Sequence, residues 1–307
     1  RELALVDCDM SHGSCLDEIH CPNLKRLCLN FVGARNENDR SVIAALLRLG
    51  GPSLLSFRAL DLRSKVPFKL MGEICPNLCA VSLTDCFNAQ QLVVLMTQCQ
   101  SIRHVELCHC FSSGGADPGT ALTCLPANSL LTLHLHSLFS SRRSSTLDDA
   151  DLAALGAHHG ASLTTLWIAQ CSNFSAAALT RLLQVCTSLK TLYLTPSIDS
   201  QLNVALIEAI GNSSIRYLYI DHAIKDPIAH AILRYGHNLL GLGLQMPAYS
   251  TGFAADVLCN VRSLRTLYVG STTPANVAKV LSWRNDTKTK TMKIVDHLPR
   301  FDFGLCV

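Results

Sequence analysis

Hydrophobic and polar positions follow one figure along the whole chain, apolar-x-x-apolar-x-apolar, whose second apolar position falls at residues 3, 27, 57, 81, 105, 133, 166, 192, 218, 242, 267 and 292. Well-preserved copies are Leu24-x2-Leu27-x-Leu29, Leu78-x2-Val81-x-Leu83, Ile102-x2-Val105-x-Leu107, Leu163-x2-Leu166-x-Ile168, Leu189-x2-Leu192-x-Leu194, Ile215-x2-Leu218-x-Ile220 and Leu264-x2-Leu267-x-Val269. Twelve copies at steps of 24 to 33 residues form a register that chance does not maintain, so the chain is an internal repeat. Period-two alternation inside each copy predicts a short parallel strand, its aliphatic side chains turned to a core and the intervening ones to solvent. Apolar residues then recur at helical spacing, as in Leu92, Leu95 and Met96, in Leu179, Leu182 and Leu183, and in Val204, Ile207 and Ile210. Strands stack about 4.8 Å apart and helices about 10 Å apart, so such an array bends with its strands inside. The predicted fold class is α/β: one horseshoe-shaped solenoid of about 12 repeats over residues 1–297, strands on the concave face and helices on the convex face, with residues 298–307 as a C-terminal cap.

Cysteine occupies the position three before the first leucine at Cys21, Cys75, Cys99 and Cys186, and the position after the strand at Cys8, Cys86, Cys110 and Cys171. With segments such as Cys75-Pro76-Asn77-Leu78 followed by Val81, Leu83 and Cys86, the chain resembles the cysteine-containing leucine-rich repeats of F-box proteins, in the ribonuclease-inhibitor-like superfamily. The resemblance covers essentially the whole chain. It departs from the pattern at Val32, Leu62, Leu138, Ser197, Ala223, Pro247, Thr272 and His297, where the second cysteine is absent. It implies a leucine-rich-repeat solenoid that binds a protein on its concave face and is not an enzyme. Two roles follow from it: the substrate-recognition domain of an F-box-type receptor in a cullin-RING ubiquitin ligase, or a structural scaffold subunit of a cytoskeletal, ciliary or other large assembly. In the first role adaptor and cullin are reached through helices upstream of Arg1. The chain opens inside a strand motif, Arg1-Glu2-Leu3-Ala4-Leu5, so an N-terminal cap or upstream domain is expected to precede it.

Composition narrows these expectations. A chain with 49% hydrophobic and 16% charged residues has ample core, and a net charge of +3 spread along the sequence gives no reason to propose nucleic acid or an anionic membrane as partner. Eight of the fifteen cysteines fall at the two repeat positions and read as small buried apolar residues. A core of thiols favours the cytoplasm or another reducing compartment such as the nucleus, which makes the sequons at Asn173, Asn212 and Asn285 chance matches. No apolar run approaches the roughly 18 residues of a membrane span. Walker loop, strand-linked G-x-G-x-x-G, G-x-S-x-G, H-E-x-x-H and C-x-x-C are all absent, so the sequence points to no catalytic residue and no cofactor.

The binding surface is read from the residues between the strand leucines: Ala4, Cys28, Arg58, Ser82, Glu106, His134, Trp167, Tyr193, Tyr219, Gly243, Tyr268 and Lys293. In a chain only 6% aromatic, Trp167, Tyr193, Tyr219 and Tyr268, with Tyr217 beside them, gather in the later half as candidate anchors. Gly241 and Gly243 are expected to leave a slot between neighbouring tyrosines for a partner's side chain. The plainer reading is that the rings cover the sheet and stabilise it by cross-strand packing. The earlier half offers Arg26, Arg58, His104, Glu106, His134 and His136 for a charged or phosphorylated segment, or as a solvated face. Parallel pairing sets Glu106 beside His134 and Cys108 beside His136, a polar, pH-sensitive contact patch or a metal site. A second cluster, His12, Cys15, His20 and Cys21, carries the same metal alternative. Longer steps place extra loops at about 33–39, 112–127 and 137–148, the last with the basic tip Ser140-Ser141-Arg142-Arg143-Ser144-Ser145, a solvated loop or a phosphorylation or docking loop.

Overall fold

A computed structural model describes residues 2–6, 21–30, 38–60, 66–84, 89–108, 111–112, 118–136, 139–140, 147–171, 174–195, 202–223, 226–245, 260–270 and 293–295. The chain falls into two compact units, Arg1–Ser188 and Leu189–Val307, built from the same repeat.

In the first unit the strands are β1 (Glu2–Val6), β2 (Arg26–Asn30), β3 (Ser56–Leu60), β4 (Ala80–Thr84), β5 (His104–Cys108), β6 (Phe111–Ser112), β7 (Thr132–His136), β8 (Phe139–Ser140) and β9 (Thr165–Ala169). Strands β1-β2-β3-β4-β5-β7-β9 pair in that order, all parallel, while β6 and β8 form a separate parallel pair. Helices α1 (Asn38–Gly50), α2 (Phe68–Ile74), α3 (Ala89–Gln98), α4 (Pro118–Leu122), α5 (Asp149–His159) and α6 (Ala176–Val185) alternate with them. The second unit has β10 (Thr191–Thr195), α7 (Val204–Gly211), β11 (Tyr217–Ala223), α8 (Asp226–Tyr235), β12 (Gly241–Gln245), β13 (Thr266–Gly270) and β14 (Lys293–Val295), its five strands again parallel and in sequence order. This is an α/β leucine-rich-repeat solenoid: each strand is too short to bury its own leucines and does so only against the next repeat.

The register is the predicted one. Leu3, Leu27, Phe57, Val81, Val105, Leu133 and Leu166 pair in succession in the first unit, and Leu192, Leu218, Leu242 and Leu267 in the second. The last repeat differs. Leu267 pairs with Ile294 and Tyr268 with Val295, so Val295 holds the column position expected of Lys293, and the motif sits two residues later than the apolar pattern around Met292 suggested. Apolar residues at 292, 294 and 295 are compatible with more than one register, and pairing with β13 chooses.

Helix faces follow the spacing in α3 and α6, where Leu92, Leu95, Met96, Leu179, Leu182 and Leu183 are buried. In α7 the buried residues are Leu206, Ile207, Ile210 and Gly211, while Val204, expected on that face, is the exposed first helical residue. The loop expected at 112–127 contains α4, and α1 begins within the loop expected at 33–39, so both insertions shrink towards ordinary repeats. Side-chain caps start several helices. Asp148 accepts from the N–H groups of Ala150 and Asp151 while Asp151 accepts from the Asp148 N–H, and Ser175 and Asn203 cap α6 and α7.

Two ladders knit neighbouring repeats. Buried Cys99 donates its thiol to the Cys75 carbonyl at 3.5 Å, and Cys75 points to the Leu47 carbonyl at 3.9 Å. Burial pushes the Cys75 and Cys186 thiols up to about 12 and Cys99 to about 11, so they behave as the small apolar groups expected. Cys171 is also buried, Cys21 is half-buried, and Cys8, Cys86 and Cys110 lie outside the described residues. The second ladder comes from the residue just before the first leucine. Ser53, Ser162, Ser214 and Ser263 donate to the carbonyls of Leu24, Leu130, Leu189 and Leu239 at 2.9, 2.7, 2.7 and 2.6 Å. Asn77 and Asn238 reach back in the same way to Pro52 and Gly211.

Candidate functional site

On the strand face of the first unit, pairing aligns Ala4, Cys28, Arg58, Ser82, Glu106, His134 and Trp167 in the predicted column, with His104 and His136 at the flanking positions of β5 and β7. Arg58 is exposed and, among the described residues, makes no ion pair, whereas Arg26 lies 3.8 Å from Glu2. Glu106 accepts from the Ser82 hydroxyl at 2.5 Å and from the Cys108 thiol at 3.7 Å. Burial, with the Glu106 charge adding to it, pushes Cys108 up to about 12, which keeps that thiol a donor. Glu106 stands beside His134 and Cys108 beside His136, as the parallel register required. Among the described residues, no three His, Cys, Asp or Glu side chains are grouped to hold a metal ion. His12, Cys15 and His20, and the basic tip beyond Ser140, fall outside the described residues.

The expectation of a pH-sensitive patch needs correction at His134. Its ring is 5% exposed and packs 5.2 Å from Trp167, tilted 49°. Burial, then the nearby His104, lowers its pKa to about 4, so it stays neutral from pH 5 to 8 and supports the half-exposed Trp167. His104 is shifted down by burial and by Arg103. The reachable polar groups of this face therefore include Arg26, Arg58, His104, Glu106 and His136, with Trp167 as its aromatic member.

In the second unit Tyr193, Tyr219, Gly243 and Tyr268 pair strand to strand, and Tyr217 with Gly241, as predicted. The expected slot is absent. A Cβ built on Gly241 would lie 2.6 Å from Cδ1 of Tyr217, and one on Gly243 would overlap Cδ1 of Tyr219. The rings of β11 lean across the bare backbone of β12 and fill the space that the glycines leave. Tyr193 and Tyr219 stack at 6.3 Å and 30°, and are only 4% and 7% exposed. Burial, with Tyr217 nearby, raises the pKa of Tyr219. Tyr217, at 38% exposed, presents its ring to solvent, and the Tyr268 side chain falls outside the described residues. A register shift between Ile220 and Ala223 ends β11 in a bulge.

Sequence reasoning passed over two sets of residues here. One is the Ser/Asn ladder, legible as Asn or Ser at 23, 53, 77, 101, 129, 162, 188, 214, 238 and 263. The other is a group of cations in the turns leading into the strands of the second unit, where Lys190, Arg262 and Arg265 are exposed and Arg216 half-buried.

No family model matches the chain, and no curated protein matches it by sequence. Solved structures do match. The leucine-rich-repeat-containing protein LegL7 from Legionella pneumophila superposes with a TM-score of 0.52 at 12% identity, over 82% of this chain and 85% of that one. The mouse RP105/MD-1 complex gives a TM-score of 0.40 at 14% identity, over 89% of this chain and 38% of that one. The LegL7 likeness agrees with the leucine-rich-repeat fold read from the strand register. No helix among the described residues is long and apolar enough to cross a membrane.

Proposed function

We propose that this chain is a non-catalytic protein-binding module whose strand faces hold a partner, and that it is the substrate-recognition domain of an F-box-type receptor in a cullin-RING ubiquitin ligase. The observation that carries the binding role is the display of outward side chains in registered columns, with exposed Arg58 and half-exposed Trp167 four rungs apart in the column of one unit and exposed Tyr217 over Gly241 in the other. Rigid rings with a polar tip, backed by packed neighbours, are the usual anchors of protein interfaces. The buried His134 ring packs against Trp167 and backs that anchor. The ligase role rests on the cysteine-containing repeat: Cys75, Cys99 and Cys186 are buried at the position that the resemblance assigns them.

Affinity purification of the tagged protein from cells of its own organism tests the assignment. Recovery of a cullin and its adaptor supports the receptor, and recovery of tubulin-associated or other assembly components without them points to the scaffold role instead. Trp167→Ala, with folding checked by circular dichroism, is expected to weaken capture of the recovered partner about tenfold or more. Undiminished capture by a folded Trp167→Ala/Tyr217→Ala protein removes the strand faces from the mechanism.

A further inference from the structure

The turns that lead into the strands of the second unit form a basic edge. The Lys190 carbonyl accepts from Arg216 N and Tyr217 N, that of Arg216 from Leu240 N and Gly241 N, and that of Leu240 from Arg265 N and Thr266 N, at 2.7 to 3.0 Å. These bonds make Lys190, Arg216, Leu240 and Arg265 equivalent positions on successive rungs, about 4.8 Å apart. Three of the four are cations, and Arg262 stands in the turn before Arg265. Arg216 donates to the Asn238 carbonyl at 3.1 Å, while Lys190, Arg262 and Arg265 are exposed and make no ion pair among the described residues. The turns beneath are fixed by Ser214 and Ser263, each bonded to the preceding repeat.

Nothing described in this unit balances that charge. Its described carboxylates are Glu208, exposed on α7 and in no ion pair among the described residues, and Asp226, the first residue of α8. The helix dipole, which acts within the last turn, does not require Arg216, five residues beyond Gly211, where α7 ends. Like charges on adjacent rungs repel, and an anionic ligand relieves that repulsion. Tyr217, the exposed ring, follows Arg216 directly and lies over Gly241, so the edge combines cations with one aromatic platform.

We propose that this edge docks an acidic peptide segment of the partner, with Lys190, Arg262 and Arg265 pairing with its carboxylates and Tyr217 packing against its apolar stem. The proposal rests on the protein-binding reading above and adds the partner's chemistry. From β10 to β13 the strip covers three rung steps, about 14 Å, the reach of roughly four extended residues. A nucleic-acid strand is held along a longer track by several stacking rings, and this strip offers one among the described residues.

Fluorescence anisotropy with a labelled octaglutamate peptide tests it on the full chain, against octalysine and an oligothymidylate of equal charge. Octaglutamate is expected to bind, to weaken as salt rises, and to lose about tenfold or more in affinity in Arg262→Glu/Arg265→Glu. Both arginines are exposed, so folding should survive; Arg262→Gln/Arg265→Gln gives the same direction with less charge change if it does not. Arg48→Glu, in the other unit, should change nothing. Absent octaglutamate binding, binding unaffected by the double variants, or tighter binding of oligothymidylate overturns the proposal. If Trp167→Ala weakens capture of the natural partner while Arg262→Glu/Arg265→Glu does not, the acidic-segment inference fails and the protein-binding module stands; if neither variant matters, both fail.

Discussion

Gly243 is bare because the ring of Tyr219 lies across it, and a double-mutant cycle can measure that relation. In Gly243→Ala the new methyl overlaps Cδ1 of a ring that is only 7% exposed and stacked on Tyr193, so the ring has little room to swing away. Overpacking of this kind costs about 1–3 kcal/mol. Replacing a strand glycine by alanine returns about 0.5–1 kcal/mol through chain entropy. The net expectation is a loss of about 0–2.5 kcal/mol in the native background. In Tyr219→Ala the obstructing ring is gone, and the same substitution should be neutral or stabilising by up to about 1 kcal/mol. The coupling between the two sites is therefore about 1–3 kcal/mol. Gly241→Ala is the internal contrast. Its Cβ meets Tyr217, which is 38% exposed and free to move towards solvent, so the loss should stay below about 1 kcal/mol. Urea denaturation followed by circular dichroism reads all these variants as midpoint shifts at constant slope. An equal effect of Gly243→Ala with and without the Tyr219 ring would refute the account and restore the open slot.

His134, His104 and His159 have folded pKa values lowered chiefly by burial, so below about pH 6.5 the unfolded chain takes up protons that the folded chain does not. Stability must then fall with pH, His134 alone removing about 3 kcal/mol by pH 4; a urea midpoint constant from pH 7 to 5 would contradict this, and His134→Phe should flatten the dependence. Ser162→Ala strips the Leu130 carbonyl of its side-chain donor and should lower stability by about 1 kcal/mol, whereas Thr187→Ala, at an exposed turn position, should leave the melting temperature unchanged. Asp149 accepts from the Ser175 backbone N–H at 2.6 Å and from its hydroxyl at 2.7 Å, with Arg181 at 3.9 Å. The Ser175 bonds hold its carboxyl below the usual range, so its contribution is present at neutral pH and lost as pH drops through that lowered value. Asp149→Ala should increase amide exchange in the first turn of α6, and unchanged protection there would dismiss the link.

Much of the architecture was legible because repetition multiplies a weak local signal. One apolar-x-x-apolar-x-apolar segment says little, but copies in phase fix strand identity, parallel pairing and register, down to Tyr193 opposite Tyr219 and Glu106 opposite His134. The buried thiols were legible for the same reason. The pattern lost its hold where apolar residues crowd, at Ile294 and Val295, and at a helix start, where Val204 has the right spacing but no turn before it to pack against.

What the sequence could not say is how far an outward-facing side chain remains exposed. Alternation determines the side of a strand on which a residue emerges, and it did so for Tyr193, Tyr219, His134 and Trp167 alike. Whether the residue then reaches solvent depends on the volume beside it. A missing Cβ on β12 lets Tyr219 fold down and disappear, a neighbouring indole closes over His134, and Tyr217 and Trp167 are left in reach. Direction is a property of the chain's own period; burial is a property of pairs of strands, and only the tertiary structure brings those pairs together.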